Sequence, residues 1–551
     1  MADSLILELT KNGFMKNKTT YVQKGLGLVM AIFAIFSLTN CSTLLSFMGG
    51  GDQQAPMYDY PIEVENTPIN FTILQMNDVY EIAPLEKGKV GGMARVATLR
   101  NQLLEENYNL LTVLAGDFVS PSLLGTMKQD GKSIKGKQMV EVMNALGVGL
   151  VAFGNHEFDI KEAELQERMN ESYFDWLGTN ILHKKGDRIE PFYKESYDFK
   201  YFAPETYVWE IENYNGQPLR VGFYSACLSD NQQPWVYYED PYQEATKAYL
   251  ELVQKCDVII GLTHLELMQD LKMAALLPKT ALIMGGHEHE NHIDTVGNVI
   301  IAKADANVKT VWVHRFTYYP DAKTTTLESE LVPITDEIEA DPEVDEIVER
   351  WQEVLNNNIK QVVDDPTEVI FHAKTPLDGR EKSVRNFQTN LGGIIAAGMA
   401  SAAKKPVDAA FFNGGSIRLD DQLSGDITAV DVFRALPYGG NIYEVEMKGS
   451  LLKKALDAGM ENKGTGGYLQ WYNIEQDAAS KSWKVGGKPL NEGKTYRVML
   501  SQYVFEGKEN RLDFLNQKNF THWETAKEGD TKDLRSDVRK AAIAHMKNMK
   551  S

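Results

Sequence analysis

Residues 148–159 read VGLVAFGNHEFD, a short apolar run that stops on Asn, His, Glu and Asp. The run is too short for a stable helix and is bounded by Gly147 and Gly154, so it is expected to form a buried strand. The same pattern recurs through the first half of the chain. FTILQMND (71–78), LLTVLAGD (110–117), VIIGLTH (258–264) and TALIMGGHEH (280–289) are apolar runs that end on Asp or His, and LRVGFYSA (219–226) is a further strand-like run. Helical patterns at 92–106 and 136–146 lie between them. Strands alternating with helices predict a layered α/β domain. In such sheets ligands gather at the carboxyl ends of the strands, so Asp78, Asp117, Asn155, His156, His264, His287 and His289 are expected to converge.

Each of these residues alone has an ordinary explanation. A strand-end Asp often caps a helix, and a lone His is often structural. The set is more informative than its members. Carboxylate and amide oxygens mixed with imidazoles suit Mn, Zn or Fe better than Ca or Mg. Two such ions about 3.5–4 Å apart activate water and clamp phosphoryl oxygens.

The order GD, GNHEFD, TH, GHEH resembles the calcineurin-like metallophosphoesterase superfamily. With a second block behind it, the chain resembles the bacterial 5'-nucleotidase / UDP-sugar hydrolase family over about residues 70–522. The resemblance implies that Asp117 bridges two divalent metal ions. It implies Asp78 and His289 on the first ion, and Asn155, His264 and His287 on the second. His156 would be the catalytic histidine, oriented by Asp159. A histidine held by a carboxylate can stabilise the phosphoryl transition state or protonate the leaving oxygen. The family's first motif is usually Asp-x-His, with the His a ligand of the first metal. Here the run is Asp78-Val79-Tyr80. Tyr80 as a phenolate, Glu81 as a substitute, or one ligand fewer are the three outcomes open to the sequence.

The chain has 551 residues, formal net charge −20 and three Cys. At about 100–200 residues per domain it holds several domains. The acidity argues against a nucleic-acid polymer as partner, because such binders cluster Lys and Arg. Three Cys exclude a disulfide framework or a Cys-rich zinc module. A basic stretch from Met15 to Lys24 precedes the apolar run Leu26–Leu38 and then Leu38-Thr39-Asn40-Cys41. About 20 residues are needed to span a bilayer, so this reads as a secretory signal. It resembles a lipoprotein signal, with Asn40 departing from the usual small residue. The expected organisation is a signal segment 1–41, a tether 42–68, a metallophosphoesterase domain 69–330 and an acidic, solvent-facing linker helix within 331–365. A smaller α/β substrate-binding domain 366–525 and a charged tail 526–551 follow, the tail ending in a helix over DVRKAAIAHMK (537–547). Cys227 and Cys256 read as core thiols, with pairing between them left open.

In the second block, LDGREKSVRNFQTNLGGIIA (377–396) carries Arg380 and Arg385, and FFNGGSIR (411–418) carries Asn413, Gly415 and Arg418. Arg offers a planar fork to phosphate, and Gly-Gly lets backbone approach a ligand. Both runs resemble hallmark motifs of the family's C-terminal domain, which implies a substrate phosphate at these residues. The resemblance also implies a base held between two aromatics, here Tyr438 and Tyr503. Gly507-Lys508-Glu509-Asn510 stands where the family commonly has Gly-Gly-Asp-Gly, so Glu509 replaces the Asp that contacts base or ribose and Lys508 adds bulk.

The expected function is an exported, metal-dependent phosphohydrolase that releases phosphate from nucleotides, a metal-bound hydroxide attacking phosphorus. Its partners would be a small-molecule nucleotide and, through an N-terminal lipid or signal anchor, a membrane; it is expected to be a periplasmic or outer-membrane-anchored monomer. Alternatives are a 2',3'-cyclic-nucleotide phosphodiesterase/3'-nucleotidase, a nucleotide-sugar pyrophosphatase, or a surface lipoprotein that binds nucleotides without turnover.

Overall fold

A computed structural model describes residues 67–549 apart from 198, 213–217 and 420. The signal run, Cys41 and the tether up to residue 66 lie outside the described residues. Among the described residues no helix is long and apolar enough to cross a membrane.

The apolar runs fold as strands. They are β1 (Ile69–Met76), β2 (Leu110–Ala115), β3 (Leu150–Ala152), β4 (Asp175–Leu177), β5 (Thr206–Ile211), β6 (Leu219–Cys227), β7 (Val258–His264), β8 (Leu282–Gly285), β9 (His292–Val296), β10 (Val299–Lys303), β11 (Thr310–Tyr319) and β12 (Thr324–Pro333). They form two six-stranded sheets, in the orders β12-β11-β1-β2-β3-β4 and β5-β6-β7-β8-β10-β9. Strands β1 to β4 are parallel neighbours, as are β6, β7, β8 and β10.

Side-chain alternation explains the layering. Phe71, Ile73 and Val113 from one sheet pack against Val221, Phe223, Ile260, Leu262 and Met284 from the other. The intervening Leu74, Met76 and Leu114 face the opposite way, in one cluster with residues of helices α1 (Met93–Glu106) and α2 (Lys137–Leu146). On the second sheet Tyr224, Ile259 and Ile283 meet α3 (Pro241–Lys255) and α4 (Leu267–Leu276). The result is helix, sheet, sheet, helix. Each large apolar side chain so buried contributes about 1.5–3 kcal/mol.

Strand β12 runs to Pro333, so the first sheet continues past residue 330. The acidic stretch then folds as α5 (Pro342–Ile359), started by Asp341, whose carboxylate accepts from the N–H groups of Glu343 and Val344, with Pro342 in the first turn. It is not the solvent-facing helix expected. Val344, Val348, Trp351, Leu355 and Ile359 lie on one buried stripe against α1 and α2, and Trp351 Nε1 donates to Glu141 at 2.9 Å. One apolar cluster runs from α1 and α2 through α5 into the second domain.

That domain contains β13 (Val369–Asp378), β14 (Ala409–Asn413), β15 (Gln422–Thr428), β16 (Ile442–Lys448), β17 (Leu469–Tyr472), β18 (Thr495–Ser501) and β19 (His522–Glu524). Its main sheet has the order β17-β14-β18-β16-β19. The helix expected at the end of the charged tail forms, and it packs into the domain. Helix α7 (Val538–Asn548) buries Val538, Ala541, Ala542, Ile543 and Met546 and packs on α6 (Asn390–Ser401). Cys227 and Cys256 are free thiols, the first buried and the second half-buried, so the two do not pair.

Candidate metal centre and substrate pocket

Because β1, β2, β3, β7 and β8 present their carboxyl ends on one edge, the residues just beyond them meet. Asp78, Asp117 and His264 are fully buried, with one donor atom from each lying within 4.8 Å of the others. His264 Nε2 is 3.1 Å from Asp117 Oδ2 and 3.9 Å from Asp78 Oδ1, and His289 Nε2 is 3.3 Å from Asp78 Oδ1. The His287 ring lies 5.4 Å from that of His264. Asn155 is buried at the same edge, and the backbone N–H of the next residue, His156, donates to Asp117 Oδ1 at 2.8 Å.

The backbone is strained to achieve this. Asp78, Asp117, His287 and His289 have φ of 54°, 61°, 90° and 62°. Such left-handed conformations are uncommon outside glycine and cost about 1–3 kcal/mol each. Small residues provide the room. A Cβ on Gly154 would sit 2.1 Å from Asp117 Oδ1, and one on Gly286 would sit 2.5 Å from the Ala115 carbonyl.

Two buried residues that the sequence reading did not single out hold these loops. Glu157 Oε2 accepts from the N–H groups of Asp117 (2.9 Å) and Gly154 (2.6 Å), and Oε1 from those of Phe118 (2.8 Å) and Val119 (3.2 Å). Burial and the Asp117 charge nevertheless push its carboxyl up to about 7. Lys303 Nζ donates to the carbonyls of Leu265 (2.6 Å) and Gly286 (2.8 Å) and pairs with Asp270 (2.9 Å) and Glu288. It thereby ties together the loops that carry His264, His287 and His289. The only sequence cue for Glu157 is its place inside GNHEFD; for Lys303 there is none.

The electrostatics fit a cation. Burial alone would raise Asp78 and Asp117, yet His264 and His289 hold Asp78 well below the usual carboxylate range, and His264 and His156 do the same for Asp117. Burial and the nearby His264 push His287 down to about 4, so its ring stays neutral and keeps a lone pair to offer. Asn155 Oδ1 is buried with no hydrogen-bond partner, the condition of an atom that binds an ion instead. His264 Nδ1 is 2.8 Å from the Ala115 carbonyl, which fixes the proton there and turns Nε2 inward. The residues therefore fit metal ions.

Tyr80 enters the same cluster. Its hydroxyl lies 2.9 Å from His289 Nε2, 3.2 Å from Asp117 Oδ2 and 3.3 Å from Asp78 Oδ1. Glu81 does not substitute as a ligand: its carboxylate faces Arg434 of the second domain at 3.6 Å.

His156 stands at the mouth of the cluster. Its Nδ1 is 2.8 Å from Asp159 Oδ2, and Asp159 is itself held by Ser120 Oγ (3.3 Å) and Asn231 Nδ2 (2.9 Å). Burial opposes charge on the ring, but Asp117, Asp159 and Glu381 together raise it to about 10. Beside it, a cleft between the domains is lined by Tyr80, His289, Arg418 and Arg434.

Arg418 also lines a cavity of about 560 Å³ in the second domain, with Arg385, Asn413, Gly415, Tyr438, Tyr503 and Glu509. Seven of the eight residues expected at the substrate thus share one cavity. Arg380 does not: it starts a short helix and makes a two-pronged pair with Asp378 at 2.9 and 3.0 Å. Tyr438 and Tyr503 are both exposed, and the Arg418 guanidinium lies 6.0 Å from the centre of the Tyr438 ring. Burial raises the Glu509 carboxyl, while a hydrogen bond from Asn413 stabilises its charged form. Lys508 adds no bulk to the cavity; it points outward and pairs with Glu506 at 2.6 Å.

Residues 71–291 match the calcineurin-like phosphoesterase family, and residues 369–517 match the 5'-nucleotidase C-terminal domain. The chain is 26% identical over 492 residues to the trifunctional nucleotide phosphoesterase protein YfkN of Bacillus subtilis (strain 168), covering 80% of this chain and 32% of that protein. It thus spans about a third of that relative's length. It is 26% identical over 505 residues to the 5'-nucleotidase of Bos taurus, covering 80% of this chain and 83% of the other. The crystal structure of a 5'-nucleotidase precursor from Thermus thermophilus superposes with a TM-score of 0.62 at 23% identity, covering 87% of this chain and 96% of that one, a likeness of fold.

Proposed function

The chain belongs to the 5'-nucleotidase family, with a calcineurin-like phosphoesterase domain followed by a 5'-nucleotidase C-terminal domain, and from that premise we propose that it releases phosphate from nucleoside monophosphates. The observation that carries this reading is Arg418, which lines both the cleft beside His156 and the cavity of Tyr438 and Tyr503. A nucleoside seated between the two tyrosines would have its phosphate directed past Arg418 toward the Asp/His cluster.

Asp78, Asp117, Asn155, His264, His287 and His289 would hold two metal ions. Bound there, such ions supply an activated water and neutralise phosphoryl oxygens. The rest falls to the protein. Asp159 binds His156 at Nδ1 and leaves Nε2 to meet the substrate, where an imidazolium proton can stabilise a growing oxyanion or pass to the leaving ribose oxygen. Arg385 and Arg418 supply the local positive charge that a chain of net charge −20 needs to attract an anion. Glu509 and Asn413 offer polar contacts to ribose or base, and stacking on Tyr438 and Tyr503 tolerates any base.

Phosphate release should be assayed over nucleoside 5'-monophosphates, 2',3'-cyclic nucleotides and a nucleotide sugar, with Mn, Zn and Fe present singly and in pairs. Turnover that is lost in Asp117→Asn supports the proposal. No turnover of any substrate, or turnover indifferent to Asp117, refutes it. Export is proposed on the run Leu26–Leu38 and Cys41; incorporation of labelled palmitate that survives Cys41→Ala would overturn the lipid attachment.

A further inference from the structure

The Tyr80 hydroxyl has three ionisable groups of the cluster within 3.3 Å. A neutral hydroxyl donates one hydrogen and accepts through its lone pairs. Tyr80 can donate to Asp78 or to Asp117, and can accept from His289. Its single hydrogen is therefore shared between two carboxylate oxygens at 3.2 and 3.3 Å, each a long contact for an O–H donor.

A shared cation accounts for these distances. Donor atoms bound at about 2.0–2.2 Å to one ion lie about 3 Å apart when they subtend a right angle. The separations Tyr80 Oη to His289 Nε2 (2.9 Å), Tyr80 Oη to Asp78 Oδ1 (3.3 Å), Tyr80 Oη to Asp117 Oδ2 (3.2 Å) and His289 Nε2 to Asp78 Oδ1 (3.3 Å) are all of this size. Asp78, Asp117 and His289 are the residues assigned above to the first metal, so Tyr80 sits where a further ligand would.

We infer that Tyr80 is a ligand of the first metal, bound as the phenolate, and that it makes this position selective for a hard trivalent ion, ferric iron. The inference rests on the metallohydrolase reading above. On binding, the O–H bond breaks, the proton leaves to solvent, and both electrons of the bond stay on oxygen as the donor pair. The cluster then carries one negative charge more than it would with a neutral imidazole at position 80. Raising one ion from divalent to trivalent restores the balance. Phenolate oxygen is among the protein donors that hold iron, and an anionic oxygen-rich set favours hard ions.

The test uses the purified chain stripped of metal and supplied with ferric citrate and zinc, with bound metal measured by mass spectrometry and the visible spectrum recorded. The expected result is bound iron with a phenolate-to-iron charge-transfer band. The band should disappear in Tyr80→Phe, and in Tyr80→His iron should give way to zinc or manganese. Melting curves of both variants show whether they fold. If Tyr80→Phe fails to fold, the wild-type band and its resonance Raman tyrosinate modes decide. Iron bound without a band, a band that persists in Tyr80→Phe, or equal preference for zinc in wild type and Tyr80→His would overturn the inference. Loss of zinc binding as well, with no response to Asp117→Asn, would instead overturn the metallohydrolase reading itself.

Discussion

Replacing Lys303 with Met tests whether the metal loops are held by one buried cation. Met keeps most of the apolar stem and removes the charge. Lys303 is 1% exposed, and its partner Asp270 is fully buried and also accepts from Thr263 Oγ1 at 2.7 Å. Glu288 is partly exposed and can turn to water, so the stranded charge is that of Asp270. Breaking a buried pair from one side costs about 3–5 kcal/mol. In a domain of this size each kcal/mol lowers the melting temperature by about 2–4 °C, which gives a fall of roughly 6–20 °C. The carbonyls of Leu265 and Gly286 also lose their donor, next to His264 and His287. Lost outer-shell support of this kind lowers metal affinity by about 10–100-fold. Calorimetry and metal titration read the two effects separately. The double variant Lys303→Met/Asp270→Leu should regain most of the melting temperature but not the affinity. A single variant that melts within about 2 °C of wild type and binds zinc unchanged would refute the reasoning.

Three further outcomes are expected. Tyr438→Ala or Tyr503→Ala should each cost about 1–3 kcal/mol of stacking, seen as a rise in KM of roughly 5–150-fold with metal content unchanged. Trp351→Ala should destabilise the chain by about 3–5 kcal/mol in denaturant titration, because the ring fills the seam between α5 and the first domain. Metal affinity should fall as pH drops below about 9: against burial, Asp117 and Asp78 raise His264 to about 9, so below that value the incoming ion must displace its proton. Isothermal titration in buffers of different ionisation enthalpy measures that proton directly.

Much of the first domain can be read from the sequence because parallel strands end where their apolar runs end. Asp78, Asp117, Asn155, His264 and His287 each lie within three residues of a strand terminus, so locating the strands locates the cluster. What cannot be read depends on backbone from distant segments. Glu157 matters because of four N–H groups on two loops, and Lys303 because of two carbonyls on two others. The left-handed backbone at Asp78, Asp117, His287 and His289 opposes local preference and is imposed by packing. Helix α5 departs from expectation for a different reason. Its apolar stripe, Val344 to Ile359, is present in the sequence, but a high density of charge on the opposite face suggests solvent. Arg380 shows the limit of motif transfer: its position in the run is right, but Asp378 two residues earlier engages the guanidinium.

The central claim is that buried Asp and His residues at the strand ends hold metal ions that make this chain a nucleotide phosphohydrolase. The most direct measurement is to strip the chain with chelator, return ferric iron together with Mn or Zn stepwise, and follow phosphate release from a nucleoside 5'-monophosphate alongside bound metal. The expected result is no turnover without metal, turnover that rises until two ions are bound per chain, and none at any metal level in Asp117→Asn. Full turnover in chelator, or metal bound with no turnover of any nucleotide, would contradict it.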